Sequence, residues 1–232
     1  GMTTVRADIA PENVTGAGAV LTCDAFLGDK LMLLQPERGY RAGVDAVLLA
    51  AAAPCDGAVR VLDAGAGVGT VGLCVARRCS QASVMLVERQ PELAEMARRN
   101  IVANGLSDRV RLAEADLANA AALTAAGVGR EAFDIVLANP PYHAVGAGTP
   151  SDDHVKAGAN AMPAEALDAW CRTLATTCRP GGRALLIHKA ECLTELFTSL
   201  GRRFGGLEVL PLRPRAGAAA IRVIVCGTKG SR

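Results

Sequence analysis

Aromatic side chains are almost missing. Four Phe, two Tyr and one Trp make 3% of the 232 residues, against 50% apolar residues of all kinds. A core must therefore be filled with Ala, Val and Leu, and any aromatic outside it gains weight as a contact. Long apolar runs are missing too. None approaches the ~20 residues that a membrane-spanning helix needs, and no signal peptide opens the chain, so a cytoplasmic protein without a membrane partner is expected. Cysteine is present without a pattern: eight residues form no CxxC pair, and the closest two, Cys74 and Cys79, stand on apolar ground. All eight are expected to be reduced, buried thiols, and no spacing suits a metal. Strong charge of either sign is absent. Twenty-five basic and 23 acidic residues leave a net +2, which permits a polyanionic partner without demanding one. There is no internal repeat.

What remains is enough for one large α/β domain with a small appendage. Residues 2–18 are polar and Gly-rich and are expected to fray. In 19–36, two apolar runs flank Gly28-Asp29, which reads as a β-hairpin. RGYRAGVDAVLLAAAAP follows, where Asp45 can cap a short Ala/Leu helix that Pro54 ends. Residues 1–54 are thus an extension, hairpin plus short helix, packed on a domain of 55–232.

From residue 59 strands and helices alternate, which predicts a mostly parallel sheet covered on both faces. VRVLDA, ASVMLVE, RVRLAEAD, FDIVLANPPY and GRALLIHK are the strands, the last following a Pro180-Gly181-Gly182 turn. GLEVLPL and AAAIRVIVCG close the chain as a hairpin, so at least one strand is antiparallel. Residues 143–162 are too long and polar for an ordinary connection, and loops of that kind are usually functional.

In open parallel sheets ligands bind beyond the carboxyl ends of the strands. Four ends here carry unusual residues. The first is Asp63-Ala64-Gly65-Ala66-Gly67-Val68-Gly69. Glycines at a strand-to-helix turn let backbone approach a ligand, and the helix N-terminus offers free N–H groups. Residues 67–72 also fit GxGxxG, the dinucleotide fingerprint, while close helix–strand packing explains one or two of the glycines. The second end is Glu88, placed to accept both hydroxyls of a ribose or simply to be a solvated charge. The third is Asp116, which could accept from an adenine amino group or cap the next helix.

The fourth end, Asn139-Pro140-Pro141-Tyr142, separates a nicotinamide oxidoreductase from a methyl-transfer enzyme. Two prolines end a strand and stiffen its exit. A dehydrogenase has no use for this turn. Methyl transfer to a conjugated nitrogen does, because the lone pair of an adenine amine or a side-chain amide is delocalised. The Asn139 oxygen and Pro140 carbonyl can accept the two N–H hydrogens and turn the lone pair toward a methyl sulfonium. Tyr142 can stack on the planar group and face the cation.

DAGAGVG, Glu88, Asp116 and NPPY, in this order, resemble the class I S-adenosylmethionine-dependent methyltransferases, in the NPPY group that modifies adenine N6 or glutamine N5. The resemblance covers residues 59–226. It implies a Rossmann-like class I methyltransferase fold: a seven-stranded, mostly parallel sheet with an antiparallel C-terminal hairpin and helices on both faces. Residues 55–232 would be the catalytic domain, with S-adenosylmethionine as cofactor. Asp63, Gly65 and Gly67 would lie along its methionine part, Glu88 on the ribose, Asp116 and Leu117 near the adenine, and Asn139 against both cofactor and substrate.

GYR-x-x-x-D-x-x-LL around Asp45, with the stretch after NPPY, is similar to the bacterial tRNA adenine-N6 methyltransferases that act beside the anticodon of a valine tRNA. That implies Asp45 near the methionine amine, and Pro141, Tyr142, His143 and Lys156 on the substrate. His143 stands where the group often has an aromatic, and is read as a loop His or stacking group before a base. The glutamine-modifying relatives, whose substrate would be a protein such as a release factor, usually carry a separate helical N-terminal domain that residues 1–54 do not resemble. With no RNA-binding domain, Arg38, Arg41, Lys156, Arg202, Arg203, Arg213 and Arg215 are expected to supply a basic surface for tRNA. Scarce apolar surface outside the sheet favours a monomer.

Overall fold

The computed structural model describes residues 20–38, 42–141 and 164–231. Arg41, Tyr142, His143 and Lys156 lie outside the described residues. A hairpin of β1 (Leu21–Phe26) and β2 (Leu31–Pro36) precedes helix α1 (Val44–Ala52). The alternating part runs β3 (Arg60–Ala64), α2 (Thr70–Arg78), β4 (Ser83–Glu88), α3 (Pro91–Ala103), β5 (Val110–Glu114), α4 (Ala120–Ala125), β6 (Phe133–Ala138), α5 (Ala164–Thr177), β7 (Cys178–Lys189), α6 (Leu193–Gly201), β8 (Phe204–Leu212) and β9 (Arg222–Lys229).

Seven strands form one sheet in the order β5-β4-β3-β6-β7-β9-β8. All neighbours are parallel except at β9, which runs against both β7 and β8. This is the expected seven-stranded sheet with its reversed C-terminal strand. Alternate side chains sort to two cores. Val61, Ile135 and Leu137 face α1, α2 and α3 through Leu49, Leu73 and Ile101. Leu62, Val136 and Ala138 face α5 and α6 through Leu167, Leu174, Leu196 and Leu200. Strands buried on both sides lose the alternation of half-exposed sheets, which is why VLDA and IVLA read as continuous apolar runs. No helix of the described residues is long and apolar enough to cross a membrane.

Three local expectations need correction. Asp45 does not cap α1: the cap is Gly43, without a side-chain bond, and the Asp45 carboxylate accepts instead from Arg222 Nε at 2.9 Å. The ion pair with a guanidinium outcompetes one backbone N–H. The Pro180-Gly181-Gly182 segment does not precede the strand but loops out within β7, whose register jumps from Phe133↔Cys178 to Ile135↔Arg183. The helix after Asp116 is α4, whose six residues are too few to show a period. The cysteines are all free, but only Cys74, Cys79, Cys171 and Cys178 are buried; Cys23 is exposed on β1, which has a strand on one side only.

The hairpin is held by two amides that the apolar pattern did not reveal. Asn100 is fully buried on α3; its Oδ1 accepts from Leu34 N at 2.7 Å, and its Nδ2 donates to Leu34 O and Val68 O at 3.0 and 2.9 Å. Asn104, one turn later, accepts from Met32 N and donates to Met32 O. Two side chains at i and i+4 thus pair with residues two apart on β2, imitating a neighbouring strand. Asn100→Ala leaves three buried backbone groups unmatched and should cost about 3 kcal/mol or more. We expect thermal denaturation of that variant to shift down by about 6–12 °C; an unshifted melt would remove Asn100 as the hairpin's anchor.

Candidate active site

Chain order fixes where a ligand fits. From β3 the chain moves outward to β4 and β5, then returns to β6 on the other side of β3. In sheets of this order ligands bind at that reversal, beyond the carboxyl ends of β3 and β6. Ala64 and Ala138 are register partners. Gly65 and Asn139 therefore leave the sheet side by side, on strands about 4.8 Å apart.

The turn after β3 is built from left-handed backbone: Gly65, Gly67 and Gly69 have φ of +67°, +57° and +94°. Two buried carboxylates grip it. Glu88 accepts from Gly67 N with Oε2 and from Gln90 N with Oε1, both at 2.8 Å. Asp63 accepts from Gly72 N at 2.8 Å. Glu88 is thus no solvated strand-end charge; it is 6% exposed. Gly72 is the packing glycine, since a Cβ there would stand 2.3 Å from Leu86 Cδ2.

At Gly65 a Cβ would stand 2.3 Å from Trp170 Cη2. The only tryptophan of the chain, carried on α5, lies against the first glycine of the turn. Nothing in the spacing of residues pointed to Trp170; its rarity in an aromatic-poor chain was the available signal.

Burial pushes the Asp63 carboxyl up to about 7, helped by the charge of Glu88 and opposed by the Gly72 N–H. The sign follows from linkage. A carboxyl raised above its ordinary 3.8 contributes stability below that value and loses it as pH climbs through about 7. Asp63→Asn keeps an acceptor for Gly72 and removes the ionisation. The wild type should lose up to about 4 kcal/mol relative to this variant between about pH 4 and pH 8. Denaturant unfolding at both pH values checks this; parallel profiles would contradict it.

Asp116 does not cap the helix after it. Its Oδ1 accepts from Ala118 N at 2.8 Å, and Asn119 caps α4 through Ala122 N. A short Asx turn satisfied Asp116 locally before the helix began. The Leu117 carbonyl accepts from Thr173 Oγ1 on α5 at 2.7 Å. Asp45 lies in the first turn of α1, tied to the start of β9. Asn139 is half-exposed and its side-chain amide has no hydrogen bond to any described residue, while Pro140 behind it is buried. Arg202 and Arg203 are not free for the cleft, because both pair with Asp168 of α5.

The methyltransferase small domain family matches residues 43–158, a segment that holds α1, the glycine turn, Glu88, Asp116 and the Asn139 turn. The chain belongs to this family. A tRNA1(Val) (adenine(37)-N6)-methyltransferase of Shewanella amazonensis is 36% identical over 153 residues, covering 66% of this chain and 62% of that one. A relative of the same name from Porphyromonas gingivalis is 34% identical over 178 residues, covering 75% and 68%. The chain therefore spans roughly two thirds of these relatives. Among solved structures, a predicted O-methyltransferase from Agrobacterium tumefaciens is similar with a TM-score of 0.67 and 36% identity, covering 81% of this chain and 82% of that one.

Proposed function

We propose that the protein transfers a methyl group from S-adenosylmethionine to the exocyclic N6 of an adenine in tRNA, near the anticodon. The observation that carries this reading is the Asn139 side chain, which has no hydrogen bond to any described residue, at the end of β6 beside the glycine turn at the sheet's crossover. The names of the curated relatives support the same substrate.

The residues at the crossover fit the cofactor. The buried Thr70 hydroxyl, in the first turn of α2, has no hydrogen-bond partner among the described residues, so a polar donor stands ready where the glycine turn meets the helix N-terminus. The left-handed backbone at Gly65 and Gly67, just after Asp63, forms the turn along which the cofactor's methionine part would lie. Glu88, once its backbone bonds are counted, keeps acceptor sites for two ribose hydroxyls. Asp116 and Leu117 border the adenine side, and Asp45 the amine side. When bound, the cofactor supplies an electrophilic methyl on a sulfonium.

The chain's own part is to prepare the nitrogen. The Asn139 oxygen and Pro140 carbonyl accept the two N6 hydrogens, draw the lone pair out of conjugation and aim it across the crevice. These acceptors are fixed before reaction and become stronger as positive charge grows on nitrogen. Alignment supplies much of the remaining rate. As the new N–C bond forms, the methyl's bond to sulfur would break, and the nitrogen, now acidic, would pass its proton by way of the Asn139 oxygen or the Pro140 carbonyl to water, so no strong base is needed. A hydroxyl acceptor, by contrast, would need a base rather than two acceptors. Tyr142 stacks on the base, which reaches the pocket by flipping out of the RNA, and Pro141, His143 and Lys156 complete the substrate side. Transfer of labelled methyl to tRNA, with nucleoside analysis, tests the reading.

A further inference from the structure

We propose that the loop 213–221, between β8 and β9, is a docking element for the phosphate backbone of the RNA, with Arg213 and Arg215 as its contacts. The inference rests on the proposed tRNA substrate and names a surface that holds it.

Most arginines with defined surroundings are already engaged. Arg98 pairs with Glu95 and Glu114, Arg183 with Glu208, Arg172, Arg202 and Arg203 with Asp168, and Arg222 with Asp45. Arg213 and Arg215 are exposed, and neither side chain has an ion pair or hydrogen bond to any described residue. Two uncompensated cations on one short loop suit a polyanion, whose counterions they would displace.

Position favours this rim. Leu212 and Lys189 are both register partners of Arg222, so the loop springs from the level of the carboxyl end of β7. Asn139 follows Ala138, the partner of Leu186. With three strand spacings across and two residues up, the loop begins about 16 Å from Asn139. An arginine there reaches phosphates flanking a base held at Asn139, not the base itself.

The loop is also prepared. Ile221 N donates to Leu212 O at 3.0 Å and Ala190 N to Ile221 O at 3.2 Å, pinning its base. Ala218 N donates to Arg215 O at 3.2 Å across a turn in which Gly217 takes φ +77°, and Pro214 stiffens the link between the two arginines. Less chain entropy is then lost on binding.

The test is the salt dependence of tRNA binding by wild type, Arg213→Ala/Arg215→Ala and Arg213→Lys/Arg215→Lys. The alanine pair should flatten the slope of log affinity against log salt by about 1.5–2 and raise KM for tRNA about tenfold near 0.1 M salt. The lysine pair should keep the wild-type slope. Melting temperature and cofactor affinity should not move in either. An unchanged slope in the alanine pair, with wild type still methylating tRNA, overturns this proposal and leaves the proposed function standing. A wild type that neither binds nor methylates RNA overturns both, including the case in which these arginines bind an acidic protein instead.

Discussion

Replacing Asn139 with Ala should lower kcat at saturating tRNA by roughly a thousandfold, the scale seen when one preorganised hydrogen-bonding group is taken from a transition state. The melting temperature should stay where it is, because the Asn139 amide has no hydrogen bond to any described residue. Cofactor affinity should be nearly unchanged, since the glycine turn, Asp63 and Glu88 hold one another without it. That combination is diagnostic. Loss of turnover together with loss of folding would make Asn139 a structural strand end, and retained turnover would remove its acceptor role.

Gly65→Ala should be the most damaging single methyl in the molecule. A side chain at φ +67° costs about 1–2 kcal/mol. The added Cβ would also stand 2.3 Å from the Trp170 ring, and overpacking of that kind adds about 1–3 kcal/mol. Together they should lower the melting temperature by about 4–20 °C and weaken cofactor binding by about a hundredfold or more as the turn shifts. Trp170→Ala in the same chain should recover the packing part and not the backbone part, which a double-mutant cycle separates. Because Trp170 is the sole tryptophan and lies against Gly65, a change in its emission should report a shift of the glycine turn. Additive losses in the cycle would show that the ring does not press on the turn.

The sheet was legible in the chain because burial is written as periodicity, and the turns at its strand ends as glycine and proline. VLDA, MLVE and IVLA could only be strands buried on both faces, and DAGAGVG and NPPY mark ends where the backbone must do something unusual. Pairings across long sequence distances left no such trace. Asn100 reaches Leu34 across 66 positions, and Arg222 reaches Asp45 across 177. The same blindness put Arg202 and Arg203 on the cleft, although Asp168 claims them, and passed over Trp170, whose meaning depends on Gly65. The outward loop at Pro180-Gly181-Gly182 looked like a turn before a strand because its residues are those of a turn; only pairing with β6 reveals a strand on either side of it.

The most direct test of the central claim is methyl transfer from labelled S-adenosylmethionine to bulk tRNA taken from a strain lacking this gene, followed by nucleoside analysis. Label in N6-methyladenosine is the predicted result, and it establishes donor, class of nucleic acid and reacting atom at once. No label in RNA while the cofactor still binds would contradict it and move the acceptor to a protein glutamine.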